Sequence, residues 1–307
     1  MKHAIIGVGA IGGLIGTSLA SLGEDVTVVL RPENLPGYPK ALTLERPQGA
    51  ILACAKATAK LTELVDVLWI ATKTYQLQTV LEAVHSLPTC AVPLLNGVDH
   101  VEILRARFGH DRVVPATIAI EAEKIASGRF IQRNSVVRLN VAASGQPLLG
   151  GVVSRLSTLD FICQFVQNEH TLLWSKLCFL APFALVSSAS GANKGQILAS
   201  AEWKQKLASA NADACAVAKA NGAEVDPAKL QGTFDSMPPS SRSSMQKDLA
   251  AGRQLELDAF AGPIVRGGER HGIDVSTTVE LVAAIRAKIT ESHQVAAFDR
   301  NLDNNTQ

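Results

Sequence analysis

The stretch Ala4-Ile5-Ile6-Gly7-Val8-Gly9-Ala10-Ile11-Gly12 decides the fold. Residues 3–8 form a short apolar run suited to a buried strand, and residues 11–22 repeat apolar side chains at helical spacing before stopping at Gly23. A GxGxxG string lies at the join. Gly7 permits a tight turn, Gly9 has no side chain to keep a pyrophosphate away from the backbone, and Gly12 lets the helix lie close to the sheet. Ala10 and Ile11 open the helix, whose first N–H groups and positive dipole end suit a phosphate. The same string also occurs as a plain glycine-rich turn. The strand before it and the helix after it are what point to a dinucleotide.

The next strand, residues 25–30, ends Val28-Val29-Leu30-Arg31. A dinucleotide site specific for NAD places an acid there to bond the ribose hydroxyls. Here Arg31 stands at that point and Glu33 falls beyond Pro32. A guanidinium suits a 2′-phosphate, so the expected cofactor is NADP. The alternative for Arg31 is a solvated loop cation.

Outward from this point, strand and helix patterns alternate. Residues 67–71 and 91–95 read as strands, and residues 75–86 and 101–108 as helices. This alternation predicts a doubly wound, mostly parallel sheet of the Rossmann type. Residues 113–120, 128–133 and 136–141 read as strands without helices between them, an antiparallel edge on the same sheet, and residues 151–166 as a closing helix. After about residue 170 only helical patterns remain, over 172–188, 201–221, 244–271 and 276–292, followed by a polar tail from Asn301. The expected organisation is a cofactor-binding domain over 1–168 and an all-α domain over 169–307.

Composition excludes several classes. Twenty-nine basic and 28 acidic residues give a net charge of +1, with no basic footprint for nucleic acid. Five cysteines without a CxxC pair fit reduced thiols in the cytoplasm, and seven histidines without HxxxH or HExxH spacing give no support for a metal. The N-terminal apolar run is too short for a signal peptide, and the greasy run 177–189 is shorter than the roughly 20 residues that cross a bilayer. No membrane partner is expected.

Further along, Thr72-Lys73, Leu95-Asn96-Gly97, Trp174-Ser175-Lys176-Leu177, Ser243-Ser244-Met245-Gln246-Lys247-Asp248 and Glu256-Leu257-Asp258 follow the glycine string in order. Together they resemble the ketopantoate reductase (2-dehydropantoate 2-reductase) family along nearly the whole chain. The resemblance implies an NADP-dependent oxidoreductase of pantothenate biosynthesis that reduces a 2-keto acid to a 2-hydroxy acid. It also implies a helical C-terminal domain like that of 6-phosphogluconate dehydrogenase, in a monomer or homodimer.

The resemblance assigns Lys176 and Glu256 to catalysis. Gly7, Gly9, Ala10, Ile11, Gly12, Arg31, Lys73 and Asn96 then hold the cofactor, and Asn96, Lys176, Ser244 and Glu256 the substrate. Several assignments have independent physical support. Lys176 lies among Leu177, Phe179, Leu180 and Phe183, so its ammonium should be easier to deprotonate than usual. Lys73 and Asn96 follow strand ends, where open α/β sheets bind ligands. Ser244, Asp248 and Glu256 recur at multiples of four on one expected helix. The bland alternatives are a snorkelling lysine, turn residues at the strand ends and a solvated helix face.

The chain departs from the family on its catalytic helix. Asparagines usually stand four and eight residues after the lysine; here they are Leu180 and Ala184, with Pro182 between them expected to kink the helix. This leaves open a reductase for a different hydroxy acid, or a non-catalytic NADP-binding sensor.

Overall fold

The computed structural model describes the backbone of residues 1–304 and side chains through residue 291. The chain divides into two compact units, Met1–Leu173 and the residues from Trp174 onward, so the division falls after residue 173 rather than 168.

In the first unit the elements run β1 (Lys2–Ile6), α1 (Ala10–Ser21), β2 (Asp25–Val29), β3 (Ala41–Glu45), β4 (Ile51–Cys54), β5 (Lys56–Thr58), β6 (Val67–Ile70), α2 (Leu77–Leu81), β7 (Cys90–Pro93) and α3 (His100–Phe108). They continue with β8 (Ala116–Ala119), β9 (Ala122–Ala126), β10 (Arg129–Gln132), β11 (Val137–Ala142), α4 (Gln146–Leu156) and β12 (Phe161–Val166). The central sheet has the order β5-β2-β1-β6-β7, and every pairing in it is parallel. Its inner strands β1 and β6 and the strand β7 are buried on both faces, as a covered parallel sheet requires, while the edge strand β5 is largely exposed. Ile5, Val67 and Trp69 enter one core, and Ala4, Ile6, Leu68 and Ile70 the other, with α3 residues Val101, Leu104 and Phe108.

Helix α1 is buried almost all round because a second sheet, β4-β3-β10-β9, shares its core. Its small residues let both layers approach. A side chain at Gly16 would meet Ile5 of the central sheet, and one at Gly13 would collide with the ring of Phe130 on β10.

Several expectations need correction. The three late strands do not extend the central sheet as one antiparallel edge. β8 and β11 join β12 in a separate three-stranded sheet, with an isolated bridge between Ala91 of β7 and Val113, just before β8, and β10 joins the second sheet. The closing helix stops at Leu156. Asp160 takes a left-handed conformation (φ 63°), and the β-branched and aromatic residues after it form β12 against β11. The helix expected over 75–86 is a 3₁₀ turn, Thr74–Gln76, followed by the short α2.

The second unit is helical among the described residues. Its elements are α5 (Glu169–Ser190, which begins in the first unit), α6 (Lys194–Ala199), α7 (Ala201–Ala220), α8 (Pro227–Asp235), α9 (Ser244–Ala250), α10 (Leu257–His271) and α11 (Ser276–Asn304). α11 runs past the expected end at 292, and the polar tail beyond residue 304 lies outside the described residues. At 22 residues, α5 is long and apolar enough to cross a membrane by length and composition, in contrast to the short run read from sequence, but most of it is buried in the protein. It runs unbroken through Pro182.

The helix expected over 244–271 is two helices. α9 ends at Ala250, Gly252 turns the chain with φ 63°, and Arg253 returns its side chain to Asp248 at 2.8 Å. Only a residue that tolerates positive φ makes this corner cheaply. Ser244, Asp248 and Glu256 therefore do not share one helix face: Glu256 is the N-cap of a separate helix.

Candidate active site

The first unit builds a cradle at the carboxyl edge of its central sheet. Gly7 follows β1 with φ 87°, and a Cβ on it would lie 2.5 Å from the backbone nitrogen of Thr72. Gly9 donates its N–H to the carbonyl of Gly7 at 2.8 Å and caps α1 with no side chain. A Cβ on Gly9 would meet nothing within 4 Å, whereas one on Gly12 would strike the carbonyl of Gly7. The three glycines thus do different work. Two allow close backbone contact, and the third opens onto free space beside the α1 N-terminus. That N-terminus carries no acid in its first turn, so the N–H groups of Ala10, Ile11 and Gly12 face no competing carboxylate from their own turn. The residues fit a pyrophosphate.

Arg31 is exposed just beyond β2, and Glu33 sits in the 3₁₀ turn Pro32–Asn34 rather than at the strand end. Lys73 and Asn96 are half-buried in the loops after β6 and β7, and Thr74 Oγ1 donates to the Asn96 carbonyl at 3.3 Å, tying the two loops together. The structure therefore brings the glycine turn, Lys73 and Asn96 to neighbouring strand ends. It adds a residue that sequence reasoning missed. Lys124 Nζ donates to the carbonyl of Val8, inside the glycine string, at 3.2 Å. Lys124 belongs to β9, a strand of mostly exposed residues with no apolar alternation to announce it.

In the second unit Lys176 lies in α5, half-buried. Burial of the ammonium draws its pKa down from the usual lysine range to about 8, and the negative charge of Glu256 pulls the other way. Glu256 is only 6% exposed, which places a carboxylate in the interior within electrostatic reach of the lysine.

Along α5 from Lys176, the residues three, four, seven and eight positions on are Phe179, Leu180, Phe183 and Ala184, on the lysine's own side of the helix. They line a half-open cavity of about 160 Å³ together with Met237 and with Phe260, one turn after Glu256. Arg242, Ser243 and Ser244 contribute its polar wall. Ser243 is committed elsewhere: its hydroxyl shares a 2.7 Å hydrogen bond with Ser187 and accepts the N–H of Gln246 as the α9 N-cap. Ser244 is exposed and lines the cavity, while Asp248 is engaged with Arg253. Behind the wall, the buried Lys194 donates to the carbonyls of Asp235 and Met237 at 3.0 and 2.6 Å and lies over the Phe234 ring. It anchors the loop that carries Met237. His100 is the buried first residue of α3. Cys178 is buried core, and its thiol is hydrogen-bonded to that of Cys215 on α7, which holds its pKa up together with burial.

A parallel sheet whose glycine turn fits a pyrophosphate, on a chain that also carries a half-buried lysine with a weakened hold on its proton, is the equipment of a dinucleotide-dependent oxidoreductase. Residues 3–144 match the family described as Ketopantoate reductase PanE/ApbA, and residues 169–289 match its C-terminal counterpart. The chain belongs to the ketopantoate reductase family, NADP-dependent oxidoreductases acting on CH–OH groups. A 2-dehydropantoate 2-reductase of Caulobacter vibrioides is 33% identical over 297 residues, covering 92% of this chain and 98% of its own. The fold also matches a PanE/ApbA family ketopantoate reductase from Ralstonia eutropha with a TM-score of 0.84 at 22% identity, covering 95% of this chain and 100% of that one. A D-mandelate dehydrogenase solved with NADH and anilino(oxo)acetate matches equally, with a TM-score of 0.84 at 20% identity over 95% and 99% of the two chains.

Proposed function

We propose that this protein reduces a 2-keto acid to the 2-hydroxy acid with NADPH, in the manner of a 2-dehydropantoate 2-reductase converting ketopantoate to pantoate. The reading assigns dinucleotide binding to residues 1–168 and proton donation and substrate binding to residues 169–307, in a cytoplasmic monomer or homodimer.

When bound, NADPH supplies the hydride that reaches the carbonyl carbon. Gly7, Gly9, Ala10, Ile11 and Gly12 hold its pyrophosphate, Arg31 pairs with the 2′-phosphate, and Lys73 and Asn96 line the strand-end loops. Lys176 gives its ammonium proton to the carbonyl oxygen as charge develops there, so the alkoxide never has to persist. Glu256 keeps the lysine protonated against the pull of its surroundings. Ser244 and Asn96 supply polar contacts to the substrate.

One observation carries this reading: Lys176, its pKa lowered to about 8 by burial and within electrostatic reach of Glu256, lies on the side of α5 whose next two turns line a cavity of about 160 Å³. A surface lysine would have no reason for either feature. The test is NADPH oxidation against 2-keto acids, ketopantoate included, by the wild type and Lys176→Met. The expected loss on substitution is roughly 10²–10⁴-fold in kcat with NADPH affinity retained. Equal rates in the two proteins would refute the assignment.

A second reading, a dehydrogenase for another 2-hydroxy acid, is favoured by Leu180 and Ala184. They line the cavity where the family usually places asparagines.

A further inference from the structure

The cavity beside Lys176 has a definite chemistry, and it narrows the substrate. Building on the reductase reading above, we propose that the 2-keto acid this enzyme prefers carries an aromatic or similarly bulky apolar side chain, seated in the cavity, with its carboxylate paired to Arg242.

Size comes first. The cavity measures about 160 Å³, and a cavity of about 150 Å³ walled by apolar side chains is large enough to take up benzene. A methyl group, as in pyruvate, would leave most of it unfilled. The lining comes second. Phe179 and Phe183 from α5 and Phe260 from α10 are among the lining residues, and their rings favour edge-to-face or offset contact with an entering ring. Leu180 and Ala184 complete the apolar wall and offer no side-chain donor. The Ser243 hydroxyl is occupied by Ser187 and the Gln246 N–H. A side chain with its own hydroxyl, such as that of ketopantoate, would find only Ser244 and Arg242 among the lining residues to replace its water, and a buried hydroxyl left unpaired is costly.

Position comes third. Lys176 and the cavity share one side of α5, and Glu256 precedes the cavity residue Phe260 by one turn of α10. Phe179 and Leu180, the lining residues nearest Lys176 along α5, stand one helical turn from it, and the proposal places the keto group at that end of the cavity. Charge completes the match. Arg242 is the charged residue among those lining the cavity, and a guanidinium pairs a carboxylate through two parallel hydrogen bonds.

The experiment compares kcat/KM with NADPH for phenylpyruvate, ketopantoate and pyruvate. The expected result is phenylpyruvate ahead of both by roughly tenfold or more, since filling or missing apolar contacts in such a pocket changes selectivity by about 10- to 200-fold. Leu180→Asn and, separately, Ala184→Asn should move the preference toward ketopantoate. Arg242→Ala should raise the KM for phenylpyruvate roughly tenfold or more, as loss of a charge-assisted pair does, with a smaller effect on kcat. If ketopantoate or pyruvate is the better substrate of the wild type, the inference is overturned while the reductase reading stands. If the KM is unchanged in Arg242→Ala, the carboxylate assignment fails. If no 2-keto acid oxidises NADPH, the reductase reading itself is wrong and the inference falls with it.

Discussion

Lys176 owes its chemistry to two opposed influences. Burial disfavours the ammonium and brings the pKa to about 8, while the Glu256 carboxylate favours it. Removing the carboxylate must therefore lower the lysine's pKa further. In Glu256→Gln the alkaline limb of the pH–rate profile should move to lower pH, read directly from kcat/KM across a pH series; a shift to higher pH would contradict the pairing. Arg31 makes a different kind of claim, about cofactor choice. A charge-assisted bond to the 2′-phosphate contributes about 1.5–3 kcal/mol. Arg31→Ala should then reduce the preference for NADPH over NADH by roughly 10- to 100-fold, measured as the ratio of kcat/KM values. Arg31 could be singled out from sequence because the strand that ends at it is a local pattern, and Lys176 because the residues around it resemble the family's catalytic helix and its neighbours are apolar. Arg242 and Lys124 could not, because their meaning comes from a cavity wall and a neighbouring sheet that no local pattern describes.

Among the elements, the turn from β1 to α1 is the most demanding. Gly7 combines positive φ with backbone packing against the loop after β6. Gly7→Ala should cost roughly 2 kcal/mol or more, from the left-handed conformation alone, and should weaken NADPH binding. Thermal melts and titration with NADPH check both, and a variant of wild-type stability would mean the turn can relax. This turn was legible in sequence because strand, glycine string and helix agree with one another. The corner between α9 and α10 was not. Residues 244–271 keep a helical apolar pattern through the break, and the turn depends on Gly252 and on the Arg253 contact with Asp248. Strands β3, β4, β5 and β9 were missed for a related reason. They are three to five residues long; β5 and β9 lie largely exposed, and β3 and β4 alternate buried and exposed residues over too few positions to rise above loop composition.

At the scale of the molecule, the buried pair of His3 and Trp69 ties stability to pH. Trp69 Nε1 donates to His3 Nδ1 at 3.1 Å, and burial, aided by the nearby N-terminal ammonium, lowers the His3 pKa from 6.5 to about 4. Between those values the unfolded chain binds a proton that the folded chain refuses, so stability falls as pH drops from about 6.5 to about 4. The full loss is roughly 3 kcal/mol, at 1.36 kcal/mol per pKa unit. Urea denaturation of the wild type and His3→Gln at a series of pH values should show this slope in the first and its loss in the second. The alternation of strands and helices, and the change to helices alone, were readable along the chain because each is set by period and propensity. The division into three sheets was not, since strand pairing is decided by contacts far apart in sequence. For the enzyme as a whole, the most direct measurement is the pH dependence of kcat/KM for NADPH-driven reduction of a 2-keto acid. It should fall as pH rises through about 8, where Lys176 loses its proton. A profile that stays flat from about pH 7 to about pH 10 would mean that no group of this kind donates the proton.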